Sequence, residues 1–163
     1  MDIAHHVALD LDAARIDLRS WLFTLTNEEY RRCCNLRVMK NLALGYYSEN
    51  GRRGMINVEW LAAAVAVHFF LEQVSEPDRV VMHSGKSRLY LLGCIPVSMS
   101  VTRELRIEPV SPGKVILHGK TAIAYRGSLL ALLARTPPGT LAAKLYFREE
   151  LEGFARDILA KCR

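Results

Sequence analysis

At 163 residues, half of them apolar, the chain has material for one domain with a sizeable core, taken here as residues 1–163, and too little for two ordinary domains. Its +5 formal charge favours anionic partners, but the basic residues are scattered, with Arg31–Arg32 and Arg52–Arg53 the local pairs, and no aromatic residues interleave with them as a base-stacking surface needs. Cys33, Cys34, Cys94 and Cys162 have neither zinc spacing nor the pattern of a secreted disulfide framework, so no metal, no cofactor and a cytoplasmic location are expected.

Residues 1–20 mix apolar and acidic groups without a clean period and lack the basic-then-apolar order of a signal peptide. They are expected to form a peripheral extension with some helix. Thr26 followed by Glu29 is a capping-box pattern, which predicts a short helix running to about Cys34. Leu36 to Ser48 has β-branched and aromatic content and ends at the turn residues Glu49, Asn50 and Gly51, so a first strand is expected there.

The stretch from Gly54 to Leu71, GMINVEWLAAAVAVHFFL, is apolar on every helical face and contains Ala62, Ala63, Ala64 and Ala66. It reads as a central buried helix, with Asn57 as N-cap and the helix ending before Pro77. Its apolar part is too short to cross a bilayer, and no membrane span is expected elsewhere.

Strands are expected after it. Arg79–His83 and Ser87–Leu92 flank the turn residues Ser84, Gly85 and Lys86. From Val97 to Ile107 apolar residues alternate with polar ones, and Arg103 alone breaks the apolar parity. Ser111, Pro112 and Gly113 reverse the chain into a second alternating run, Val115 to Tyr125, giving a long hairpin. Leu129–Ala134 and Leu141–Phe147, on either side of the break at Pro137–Pro138–Gly139, are expected to complete the meander. Arg148 to Lys161 carries Leu151, Phe154, Ile158 and Leu159 on one stripe and predicts a C-terminal amphipathic helix.

A strand, a buried helix and then several antiparallel strands is an order that resembles the hotdog fold over residues 36–147. Gly54 to Leu61, GMINVEWL, looks like the loop-to-helix junction of acyl-thioester enzymes of that superfamily. Arg103 to Lys120, RELRIEPVSPGKVILHGK, is similar to their strand-turn-strand segment. The resemblance implies an α+β protein with a curved antiparallel sheet around a central helix, and an acyl-CoA or acyl-carrier-protein thioesterase of lipid or polyketide metabolism. The family's dehydratases carry a histidine where this chain has Met55, so dehydration is disfavoured. The alternative is a non-catalytic protein of hotdog or helix-grip type that sequesters an apolar ligand or serves only as an assembly partner. In a helix-grip, polyketide-cyclase-like fold the last helix would be the one gripped, and the charge of Arg148 to Lys161 weighs against that.

Under the thioesterase reading Glu59 is the base or nucleophile, Asn57 assists, and the helix N-terminus supplies oxyanion donors. Helix-dipole stabilisation explains Glu59 equally well, and capping explains Asn57. Arg52 and Arg53, with Gly54 and Met55, are the candidate substrate-binding residues, since guanidinium groups suit the phosphates of coenzyme A; loop solubility is the alternative. His68 reads as a hydrogen-bonded core residue, and a homodimer is expected from the exposed sheet edges of a chain this size.

Overall fold

The computed structural model describes residues 1–33, 45–61, 64–126 and 136–162. Seven strands form one antiparallel sheet: β1 (Asp2–Leu9), β2 (Gly45–Glu49), β3 (Arg52–Leu61), β4 (Ala64–Ser75), β5 (Arg79–Leu91), β6 (Ile95–Ser111) and β7 (Lys114–Tyr125). Their order in the sheet is β1-β7-β6-β5-β4-β3-β2, so β2 through β7 are a meander and β1 adds beside its last strand. Among the described residues three α-helices accompany it: α1 (Leu18–Thr24), α2 (Asn27–Arg32) and α3 (Pro137–Cys162). The protein is therefore α+β, an antiparallel sheet with a long C-terminal helix.

The sheet's inner face is built by strand alternation. On β6, Val97, Met99, Val101, Leu105 and Ile107 are buried, and on β7 Val115 and Leu117 join them. α3 lays its stripe of Phe147, Leu151, Phe154, Ala155 and Ile158 on this face. Gly119 permits the crossing, because a Cβ there would stand 2.8 Å from Leu151 Cδ1. Helices α1 and α2 pack against the second half of α3, where Trp21 Nε1 donates to Asp157 Oδ2 at 2.8 Å and Trp21 meets Phe154 edge-on.

The central buried helix is not present: residues 54–71 belong to β3 and β4, paired antiparallel with Asn57 opposite His68. The physical reason is that these strands are apolar on both faces. Met55, Ala66 and Phe70 point inward, while Ile56, Val58, Trp60, Val65, Val67 and Phe69 lie on the outer face, which removes the alternation that marks a half-buried strand. The hotdog arrangement, which needs that helix, is corrected accordingly, and Asn57 is a mid-strand residue rather than an N-cap. The helix that the sheet holds is the last one.

Three further expectations change. Residues 2–9 are not a peripheral extension but the strand β1, in register along β7 from Asp2 opposite Ala122 to Leu9 opposite Val115. Leu141–Phe147 is helical rather than extended, because Pro137 opens α3, a position where its missing N–H costs no helical bond. Ser84, Gly85 and Lys86 are not a turn; they sit at a register shift inside the continuous strand β5.

Other expectations stand. The β6–β7 hairpin turns at residues 111–114 with Gly113 at φ 71. The capping box is present, with Glu29 N donating to Thr26 Oγ1 at 3.2 Å and Thr26 N to Glu29 Oε2 at 2.8 Å. Cys34, most of the first expected strand (36–44) and the run at 129–134 lie outside the described residues.

Candidate functional site

Charged side chains are almost never fully buried unless paired. Between the inner face and α3 this protein buries Asn57 and Glu59 from β3, His68 from β4, Ser84 and Ser87 from β5, and Glu150 from α3. Arg103 from β6 joins them, with its side chain 15% exposed. Arg103 is the residue that breaks the apolar parity of β6, and it is the hub of the cluster.

Arg103 Nη2 donates to Glu59 Oε1 at 3.0 Å, and Nη1 donates to Glu150 Oε1 at 3.2 Å. Tyr30 from α2 donates its hydroxyl to the same Glu150 oxygen at 2.6 Å and accepts from Asn57 Nδ2 at 3.0 Å. Asn57 Nδ2 also donates to Glu59 Oε1 at 2.7 Å, which fixes the amide orientation, since the flipped group would set its oxygen against the carboxylate. The Tyr146 hydroxyl lies 3.5 Å from Glu150 Oε1. One guanidinium thus links sheet to helix.

The electrostatics follow from burial and pairing. Desolvation opposes the charged form of Arg103, but Glu150 and Glu59 more than reverse this and raise its pKa, so it stays a cation. Burial, and then the Glu150 and Glu59 charges, push the Tyr146 hydroxyl up, so it remains a donor. His68 is pulled down to about 4 by desolvation, with Glu59 acting in the opposite sense, and is neutral near pH 7. Ser87 Oγ donates to Ser84 Oγ at 2.7 Å, so the 2.9 Å bond between His68 Nδ1 and Ser87 Oγ requires the proton on Nδ1.

Two buried polar atoms of this cluster, Asn57 Oδ1 and Arg103 Nε, have no hydrogen-bond partner among the described residues. A cavity of about 30 Å³ adjoins the cluster, lined by Tyr30, Arg103 and Glu150 together with Met55, Met82 and Phe147. That is room for about one water.

The sequence-derived site residues are divided by the strand's twofold alternation. Glu59 and Asn57 do come together, but in an ion-pair network rather than at a helix N-terminus. Met55 faces inward and lines the cavity. Arg53 Nε pairs with Glu72 Oε2 at 3.1 Å, and its guanidinium stacks over Phe23. Gly54 is covered by Tyr47, whose ring a Cβ there would meet at 2.7 Å. Arg52 lines a separate open groove of about 700 Å³ on the outer face with Tyr47, Ile56, Phe69 and His83. Tyr30, Tyr146 and Glu150 escape sequence reasoning, because their partners lie far along the chain and leave no local spacing. No group of three or more potential metal ligands is found among the described residues.

Comparison with family models and with curated proteins finds no match. Among solved structures, a protein from Thermus thermophilus superposes with a TM-score of 0.71 at 10% identity, covering 99% of both chains. A START superfamily protein from Mycobacterium smegmatis gives 0.59 at 10% identity over 98% of this chain and 95% of that one. Zhui aromatase/cyclase from Streptomyces sp. R1128 gives 0.58 at 12% identity over 99% and 93%. At such identities the likeness is one of fold: this chain is similar to START and polyketide-cyclase-like helix-grip structures, with an antiparallel sheet and a C-terminal helix.

Proposed function

We propose that the protein binds an apolar small molecule between the inner face of the sheet and α3, with the Arg103 cluster receiving the molecule's polar group. Asn57 Oδ1 and Arg103 Nε carry this reading. Burying a polar atom without a partner costs about 1–3 kcal/mol, and two such atoms within one buried cluster point to a group that the protein is built to receive. The helix-grip likeness, to proteins that include an aromatase/cyclase and a START superfamily member, supports the same location.

The ligand's polar group is best a neutral hydroxyl or phenol. Two carboxylates, Glu59 and Glu150, face one guanidinium, so a ligand carboxylate or phosphate would meet excess negative charge. A hydroxyl both donates, as Asn57 Oδ1 needs, and accepts, as Arg103 Nε needs. The small cavity implies that a drug-sized ligand shifts α3 relative to the sheet on binding. Thioester hydrolysis by Glu59 has weaker support, since its Oε1 already accepts from Asn57 and Arg103 and Glu59 itself stands in a strand rather than in the first turn of a helix.

Native mass spectrometry of the purified protein tests the reading against the thioesterase alternative. Retention of an apolar adduct, with no turnover of acyl-CoA esters, is the expected result. Turnover abolished by Glu59→Gln would instead favour hydrolysis.

A further inference from the structure

β1 forms one border of the sheet, and no described strand pairs with it on the side away from β7. Its first residue shows which backbone groups face that border. The Met1 amino group donates to the Ile123 carbonyl at 2.7 Å, and Ile123 N donates to the Met1 carbonyl at 2.8 Å. Backbone groups alternate sides along a strand, so Ile3, His5, Val7 and Leu9 also face β7. Asp2, Ala4, His6 and Ala8 turn their N–H and C=O groups to the open border. All four are exposed.

Sheet borders are ordinarily blunted by short strands, bulges, proline or lysine. β1 uses none of these devices. It runs for eight residues in unbroken register, and Ala4 and Ala8 are too small to screen the backbone. The opposite border, β2, has only five residues. On its inner side the β1 border is overhung by α3. Leu151 packs on Gly119, the residue opposite His5, and Glu152 Oε1 stands 3.8 Å from His5 Nε2, so Glu152 lies on the side of α3 that faces the border. Arg148, one turn earlier on that side, donates from Nε to Glu152 Oε1 at 2.8 Å and keeps 62% of its side chain exposed.

We infer that β1 pairs antiparallel with β1 of a second copy, joining the two sheets into one. Hydrogen-bonded pairs must join residues that face the border. Setting Asp2 opposite the second copy's Ala8, and Ala4 opposite its His6, satisfies this along the strand, with Ile3 opposite Val7 on the inner face and His5 on the twofold axis. Moving the axis to His6 would instead set Asp2 against Asp10, like charges face to face. Residues directly opposite share a face, so both α3 helices lie on the same side of the joined sheet. The axis through His5 then sets the Arg148 and Glu152 pair of one helix in reverse order against that of the other, and each cation approaches the other copy's carboxylate. The border is therefore complementary to itself in charge as well as in hydrogen bonding.

Sedimentation velocity of the full chain between about 5 and 200 μM tests this, a range suited to an interface of modest size. Dimer is expected to accumulate across it. Ala4→Pro costs the monomer no ladder bond, since that N–H faces the border, and should weaken the dimer about tenfold. Arg148→Glu should weaken it about fivefold, and adding Glu152→Arg should restore most of the loss. Amide exchange of the wild type, followed by NMR, needs no variant. As concentration rises the Ala4, His6 and Ala8 N–H groups should become protected, while those of Ile3, His5 and Val7 are slow throughout. A chain still monomeric at the highest concentration, a dimer that folded Ala4→Pro or Arg148→Glu leaves intact, or added protection that does not alternate along β1 would overturn the proposal.

Discussion

Arg103 on β6 and Glu59 on β3 are bonded at 3.0 Å although β4 and β5 lie between their strands. Three interstrand steps of about 4.8 Å hold the strands of a flat sheet roughly 14 Å apart, a gap that only two long side chains reaching toward one another across the inner face can close. Removing Arg103 leaves two buried carboxylates without a counter-charge. Arg103→Met should therefore destabilise the protein by about 3–5 kcal/mol in urea titration, and adding Glu59→Gln and Glu150→Gln should recover much of that loss.

His68 should give the protein a distinct acid sensitivity. Its folded pKa of about 4 lies below its ordinary value of 6.5, so the unfolded chain binds its proton first as pH falls. The stabilisation is complete above pH 6.5 and is lost as pH falls from there through 4, in total roughly 3 kcal/mol. His5 is shifted in the same direction but is far more exposed and contributes less. Thermal unfolding across pH 4–6.5 should show this slope in the wild type and a much flatter one in His68→Gln, which keeps a donor for Ser87.

Gly153 should not accept a side chain. A Cβ on it would overlap the Cys33 carbonyl at the end of α2, so Gly153→Ala must push α2 off α3. A loss of about 1–3 kcal/mol or more is expected. The disturbance should reach the site, because Tyr30 on α2 holds Glu150; a changed near-ultraviolet tyrosine signal in the folded variant would report it.

Thr26→Ala tests the α2 start separately. It removes the side-chain half of the capping box and should cost about 1 kcal/mol in urea titration, with Thr26→Ser nearly neutral.

Much of this fold is legible in the residues, and the failures have physical causes. The β6–β7 hairpin shows because only its inner face is apolar, and the second half of α3 shows through Leu151, Phe154 and Ile158. β3 and β4 do not, because Val58, Trp60, Val67 and Phe69 make the outer face apolar too. A parity signal is still present: Asn57 and Glu59, two residues apart, share a strand face but would diverge on a helix. In β1, His5 interrupts the alternation of Ile3, Val7 and Leu9, and pairing with β7, over a hundred residues away, decides its state. The site is half visible. Arg103 stands out as a charge on an apolar strand face, and Glu59 and Asn57 as polar groups in an apolar run, whereas Tyr30 and Glu150 join them only through the packing of α2 and α3.

The most direct test of the interior site uses the methionine methyl groups as reporters. Met55 and Met82 line the cavity beside Arg103, whereas Met1, held at β7 by its bond to the Ile123 carbonyl, is not one of the lining residues. With methyl-¹³C methionine, titration of 2-naphthol should shift the Met55 and Met82 signals and leave Met1 in place, while 2-naphthoate, its carboxylate counterpart, should shift them far less. Signals unmoved by 2-naphthol at saturating concentration, or moved more by the carboxylate, would contradict a neutral-ligand site between the sheet and α3.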